Sequence, residues 1–307
     1  MFKGLKTLGM LSLLLSTLLL PTVAAFGQGY RPTGSVAAET TYIFGIHPYT
    51  NPQGLLEDYD PIVRYLESKI PGAHFQIEAS KDYADYEAKL AARRFHFSLP
   101  NPYQTVLSLE HGYRVIAKMT PDENFRGLIV VRSDSTIKHP RDLNGKTVCF
   151  PSASAVAGTM LPLLYLHQQG GDVKSLKIKY VGSQDSSILN AYAGDAVACG
   201  STVRFFASWA KKEEEKAKQM KILWRTDSLP HNGVIARDDV DAVLARRVAQ
   251  TLAAMDKDSA LDQTLFKKDQ QHFELATDET YRPMQSFLHD YDKAIGLPST
   301  MRVVKGR

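Results

Sequence analysis

Residues 142–162, DLNGKTVCFPSASAVAGTMLP, hold the densest set of groups that could do chemistry. A DLNG turn leads into a short apolar β run at 146–150, then a loop of small hydroxylated residues, then the helix-like run 160–166. The first turn of a helix leaves backbone N–H groups without intrahelical partners and carries the positive end of the macrodipole. A loop that lets a ligand approach there forms an anion cradle. Ser152, Ser154 and Thr159 are the hydroxyls nearest that cradle. A tight turn inside an ordinary α/β sheet would look the same from this loop alone.

Other loops carry polar and aromatic groups. Tyr49, Tyr83 and Tyr103 fall one each in the stretches 47–54, 79–83 and 100–103, with Asn101 beside the third, while Gln184, Asp185 and Ser186 fall in 182–187. Asn and Gln offer donors and acceptors without net charge, which suits a polar ligand better than a bare dianion. The local alternatives are half-exposed ring packing for the tyrosines, a turn at Asn101-Pro102, and helix capping by Gln184-Asp185. His47, His96, His111, His139 and His231 show no spacing of the His-x-x-x-His kind, so neither a structural metal nor a cofactor is expected. There is no Gly-x-Ser-x-Gly, Walker loop or dinucleotide fingerprint, and the chain is not read as an enzyme.

The elements that must position these groups repeat. Residues 41–46, 74–78 and 95–99 are β runs, each followed by a polar loop and an amphipathic helix, at 55–69, 84–93 and 104–110. Three β-loop-α units predict a largely parallel sheet with helices on its faces, and such sheets bind ligands beyond the carboxyl ends of their strands. Two more β runs, 114–118 and 127–132, flank the polar break TPDEN at 120–124, after which the same pattern starts again with β runs at 147–150, 177–181 and 196–199. A return through the turn-rich stretch 228–233 precedes a helical tail. The expected organisation is therefore a discontinuous first lobe, 41–127 with 229–298, and a second lobe, 128–228, with crossings near 125 and 230.

The first residues read as a signal peptide: Lys3 and Lys6, an apolar run to residue 20, then PTVAA with small residues set for cleavage after Ala25. Residues 26–40 are expected to form a flexible tail. Cleavage would remove two lysines and no acid, taking the net charge of the 307-residue chain from +4 to +2, so its basic balance points to no nucleic-acid partner. The expected location is the periplasm, and the expected state a monomer. Two cysteines in an exported chain usually pair, and Cys149 and Cys199 fall on strands that would neighbour each other. A disulfide is the favoured reading, with buried free thiols or a soft-metal pair as the alternatives.

The order of features resembles the periplasmic substrate-binding proteins of phosphate/phosphite/phosphonate ABC transporters. The matching pieces are Phe44-Gly-Ile46 with PIVRYL at 61–66, Asp82-Tyr83-Ala84, Asn101-Pro-Tyr103, VVRSDS at 130–135, DLNGK at 142–146, Gly158 with Pro162, and Gly182-Ser-Gln-Asp185. The resemblance implies a type II periplasmic-binding fold, two α/β lobes, each a mainly parallel sheet flanked by helices, closing on a small ligand that is delivered to an ABC transporter permease. The same fold feeding a membrane histidine kinase is the alternative, with an enzyme as the less favoured one. This chain departs from the family where phosphonate binders have Ser-Thr-Ser-Gly opening a helix, since it has Ala155-Val-Ala-Gly158. It also has Gln184 for the usual histidine and Val197 for an acidic residue. A charge-assisted hydrogen bond is worth roughly 1.5–3 kcal/mol, so these departures predict weak binding of phosphate and simple alkylphosphonates.

Overall fold

The computed structural model describes residues 40–258, 272–297 and 301. The expected signal peptide lies outside the described residues, as does the expected tail apart from Thr40. Strand β1 (Thr40–Ile46) leads to α1 (Pro52–Lys69), β2 (Ala73–Glu78) to α2 (Tyr83–Ala91), and β3 (Phe97–Leu99) to α3 (Pro102–Leu109). β1 pairs in parallel with both β2 and β3. Strand β4 (Tyr113–Thr120) carries the chain out of this sheet, and β5 (Arg126–Arg132) enters a second one.

The second sheet holds β6 (Thr147–Phe150), β7 (Lys177–Tyr180), β8 (Ala198–Thr202) and β9 (Met220–Ser228), in the order β7-β6-β8-β5-β9. Its helices are α4 (Leu161–Gln168), entered through a π-helical turn at Val156–Met160, α5 (Gln184–Ala193), α6 (Val203–Lys212) and the short α7 (Glu214–Ala217). The chain returns through 229–232 to β10 (Gly233–Arg237), then α8 (Ala242–Ala254), β11 (His272–Leu275) and α9 (Arg282–Ala294), all with the first sheet, whose order is β11-β4-β10-β3-β1-β2.

Parallel pairing holds within β1–β3 and β6–β8, where each strand is followed by a crossover. Both sheets are nevertheless mixed. β4, β5, β9 and β10, which carry the chain between sheets, join antiparallel, as does the edge strand β11. A strand that leaves one sheet for another needs no crossover helix and can run back against its neighbour.

Helix α1 buries a stripe of Leu55, Tyr59, Ile62, Val63 and Leu66, at the three- and four-residue spacing of one helical face. That stripe packs with Phe44, Ile46, Phe97, Val248 and Leu252 on one face of the first sheet. The other face shares a core with the second sheet through Tyr103, Val106, Phe150, Leu163 and Leu166. A third core of Leu128, Val130, Ile188 and Trp209 surrounds Cys149 and Cys199. The cysteines are directly opposite each other on β6 and β8, their Cα atoms 4.5 Å apart, and joined as a disulfide. Close approach here depends on Gly200: a Cβ on it would lie 2.1 Å from the Gly158 carbonyl oxygen and 2.4 Å from the Phe150 ring. The π-helical turn can therefore lie directly on β8.

Candidate functional site

In a β-loop-α unit the helix N-terminus faces the carboxyl end of its strand, and the loops here end on capping side chains. Asn51, Asp82, Asn101, Ser183 and Thr202 cap α1, α2, α3, α5 and α6, each side chain accepting a first-turn N–H. Asn101 completes a reciprocal box, accepting from Gln104 N while Gln104 Oε1 accepts from Asn101 N. Ser183 leaves Gln184 as the first residue of α5, so the cap expected from Gln184-Asp185 belongs to the residue before them.

Four of these helix starts, those of α2, α3, α5 and α6, converge with the run into α4 on one small cavity, of about 50 Å³, between the two sheets. Tyr83 of α2, Asn101 before α3, Ala155, Val156 and Ala157 opening the run into α4, Gln184 of α5, and Thr202 with Arg204 at α6 all reach its wall. His47, Tyr49, Tyr59, Phe125, Phe205, His231 and Asn232 complete most of the rest. Several hydrogen bonds cross the cleft beside it. Thr50 Oγ1 donates to Asp185 Oδ2 at 2.7 Å, Gln184 N donates to the Tyr49 carbonyl at 3.1 Å, and Asn101 Nδ2 donates to the Ser154 carbonyl at 2.9 Å. Ser154 Oγ in turn donates to Glu87 Oε1 at 2.6 Å, and Glu87 also accepts from Gln104 Nε2.

Arg204 is the one wall residue with a permanent charge among the described residues. Its guanidinium lies over the rings of Tyr49 and Phe205, 5.3 and 5.1 Å from their centroids, and 3.9 Å from Asp58 Oδ2. The same Asp58 oxygen accepts the Tyr49 hydroxyl at 2.5 Å. Burial, with a smaller push from Arg204, lowers the His47 pKa to about 4 against the opposing bond to Leu99 O, and lowers that of His231 to about 3. Both rings are neutral at pH 7. His47 Nδ1 lies 3.0 Å from the Leu99 carbonyl and so carries its proton, while His231 Nδ1 accepts from Asn232 N and so carries its proton on Nε2. Burial also raises the pKa values of Tyr49 and Tyr83, which stay protonated, and pushes Glu87 up from the usual carboxylate range. The Tyr83 hydroxyl is hydrogen-bonded to the Gln184 side chain.

Of the residues singled out in the sequence, Tyr49, Tyr83, Asn101 and Gln184 are on the cavity wall. Ser154 and Asp185 bridge the cleft beside it. Ser152 lies behind: its carbonyl accepts from Thr159 Oγ1 and Ala155 N, and its hydroxyl is 3.5 Å from that of Ser154. Ser186 serves its own helix, donating its N–H to Ser183 Oγ. Tyr103 does not reach the cavity. It sits on the inward face of α3, where residues 102–106 are all buried, and its ring joins the core with Tyr86, Phe95 and Val106. The loop-by-loop reading missed Arg204, Phe205, Thr202 and His231. The signal available for the first three was a β run ending in Ser-Thr with an arginine two residues on, the same strand-to-cap pattern seen in the other units.

The family model for the periplasmic substrate-binding protein of phosphonate ABC transporters matches residues 44–281. The phosphate-import protein PhnD of Mycolicibacterium smegmatis is 26% identical over 214 residues, a match that covers 62% of this chain and 64% of that relative, just under two thirds of its length. Among solved structures, a binding-protein component of a Pseudomonas aeruginosa ABC phosphonate transporter aligns with a TM-score of 0.75 at 14% identity, covering 83% of this chain and 88% of that one. PhnD1 from Prochlorococcus marinus, in complex with methylphosphonate, aligns with a TM-score of 0.73 at 16% identity, covering 82% and 98%. At these identities the structural likeness is one of fold.

Proposed function

The chain belongs to the periplasmic substrate-binding protein family of phosphonate ABC transporters, and from that premise we propose that it captures a small polar or anionic solute in the cavity between its sheets and delivers it to an ABC transporter permease. The observation that carries this reading is the convergence on one cavity of residues at the starts of α2, α3, α5 and α6 and in the π-helical turn before α4, from both sheets. Binding residues from both sides give a ligand differential affinity for the closed form, which is what closure requires. The lobes in this reading are those expected from the sequence, and the crossings at 121–125 and 229–232 act as the hinge. Asp122 Oδ1 accepts from both Lys118 Nζ and His231 N, which ties the two crossings together. Export to the periplasm belongs to the same reading.

Native mass spectrometry of the protein recovered from a periplasmic extract should reveal a bound small molecule. Adding that molecule back should raise the melting temperature, by the equivalent of about 2.7 kcal/mol at a hundred times its Kd. Tyr83→Ala and Gln184→Ala should each abolish the ligand-induced shift. Variants that keep the full shift would show that the solute binds elsewhere.

A further inference from the structure

The cavity has an uneven polar inventory. Arg204 is answered within the protein by Asp58, 3.9 Å away, so the pair contributes no net charge. Glu87 stands close behind the wall, bonded to Ser154. What remains to favour an anion is the partial positive charge of the helix first turns, about half a unit at each end and already drawn on by their capping side chains. The first-turn N–H groups of Val156 and Ala157 precede Thr159 N, which donates to the Ala155 carbonyl, and so lie ahead of the first donor used within that helix.

Two amide oxygens on the wall are open to a donor. Gln184 is 4% exposed and Asn232 is 8% exposed, and neither Gln184 Oε1 nor Asn232 Oδ1 receives a hydrogen bond from the described residues. Both residues line the cavity, and the Gln184 amide is held against Gly158, where a Cβ would come within 2.5 Å of its Nε2. His47, with its proton on Nδ1 towards Leu99, adds the bare Nε2 as a third acceptor. A buried acceptor is satisfied only by a donor, and a group with no proton to give cannot supply one.

Resting on the solute-binding reading above, we propose that the cavity selects a small solute carrying a single negative charge together with at least one O–H or N–H donor, and discriminates against doubly charged oxyanions. The negative group would lie at the helix first turns and Arg204, and the donor would reach Gln184 or Asn232. A second negative charge would face these amide acceptors, and the one cationic side chain of the wall, Arg204, already has Asp58 beside it.

Methylphosphonate is a suitable probe because one molecule presents both states: below its second ionisation it is a monoanion with a P–OH donor, above it a dianion with none. The wall histidines hold their neutral form well below that range, so the change falls on the probe. Isothermal titration across the second ionisation should show the monoanion binding at least about tenfold more tightly than the dianion. Asp58→Asn, which frees the Arg204 charge, should erase most of that preference by strengthening the dianion. Asn124→Lys, at an exposed position on the cavity rim, should act the same way without touching the half-buried Arg204–Asp58 pair. Equal affinity for the two states in the wild-type protein, no binding of either, or a dianion affinity unmoved by both substitutions would each overturn the proposal. A bound solute of another charge class found by native mass spectrometry would overturn it while leaving the solute-binding function standing.

Discussion

Replacing both Cys149 and Cys199 with alanine tests how the second sheet is held under the cavity. The disulfide closes a loop of 50 residues in sequence separation, between strands that face each other directly at these positions. Chain-entropy bookkeeping for a closed loop of that length gives about 4 kcal/mol of stabilisation, acting by restricting the unfolded chain. Both sulfurs are fully buried among Leu128, Val130 and Ile188, so the small cavities left by alanine add to the loss. The double variant should unfold in urea with a stability lower by roughly 3–5 kcal/mol, and melt lower by about 10 °C. Thiol titration of the unfolded, unreduced wild-type protein should find no free thiol. Ligand affinity should change much less than stability. The parallel ladder between β6 and β8 also pairs Val148 with Ala198, and the residues delivered to the cavity lie beyond the carboxyl ends of both strands. A stability loss below 1 kcal/mol, about the smallest difference such an assay resolves, would refute the entropic argument.

Two more outcomes follow from the wall itself. His47 and His231 stay neutral in the folded protein down to about 4 and about 3, whereas in the unfolded chain they take up protons below their ordinary 6.5. The unfolded state therefore binds more protons across that interval. Stability should be full above pH 6.5 and fall as the pH drops from there towards about 4 and 3, with His47 accounting for on the order of 3 kcal/mol. Urea titrations at several pH values should show a shallower acid loss in His47→Gln than in the wild type; parallel profiles would place the acid sensitivity elsewhere. Gly200→Ala should cost about 3 kcal/mol or more, or prevent folding, because its Cβ would collide with the Gly158 carbonyl and the Phe150 ring, both in the packed interior. A melting temperature within a few degrees of the wild type would show that the π-helical turn can lift off β8.

Much of the fold was legible because its units repeat with short-range signals. The period-2 runs at 41–46 and 74–78, each followed by a capping residue and an amphipathic helix, reappear as β1, β2, α1 and α2 almost to the residue. The polar break at 120–124 marks a passage between sheets because a strand leaving a packed layer must cross solvent-facing ground. Strand direction was less legible. Nothing local in 114–118 or 127–132 tells whether a neighbour runs parallel or antiparallel, since that is set by where the rest of the chain returns, and the crossing strands turned out antiparallel. The edge strand β11, only four residues long, carries too short an alternation to stand out, and it exists through its pairing with β4.

The site was legible to the extent that a residue's role is fixed by the loop it stands in. Tyr49, Tyr83, Asn101 and Gln184 sit at or next to helix starts, and parallel β-loop-α topology sends those starts to one edge. Tyr103 shows the limit of that rule. It is two residues from Asn101 in sequence, yet a helix turns about 100° per residue, so one side chain bridges the cleft while the other turns into the core. Charge was the least legible part. Asp58 is on α1 and Arg204 on α6, 146 positions apart, and only the closing of the two sheets brings them within 3.9 Å. The hydroxyls lost from the family's helix-opening motif are visible in the sequence at Ala155, Val156 and Ala157. That the nearby arginine is already matched by an acid of the other sheet is visible only in three dimensions. Both facts point the same way, because a wall with fewer hydroxyl donors and no spare cation favours a ligand that brings its own donor and a single charge.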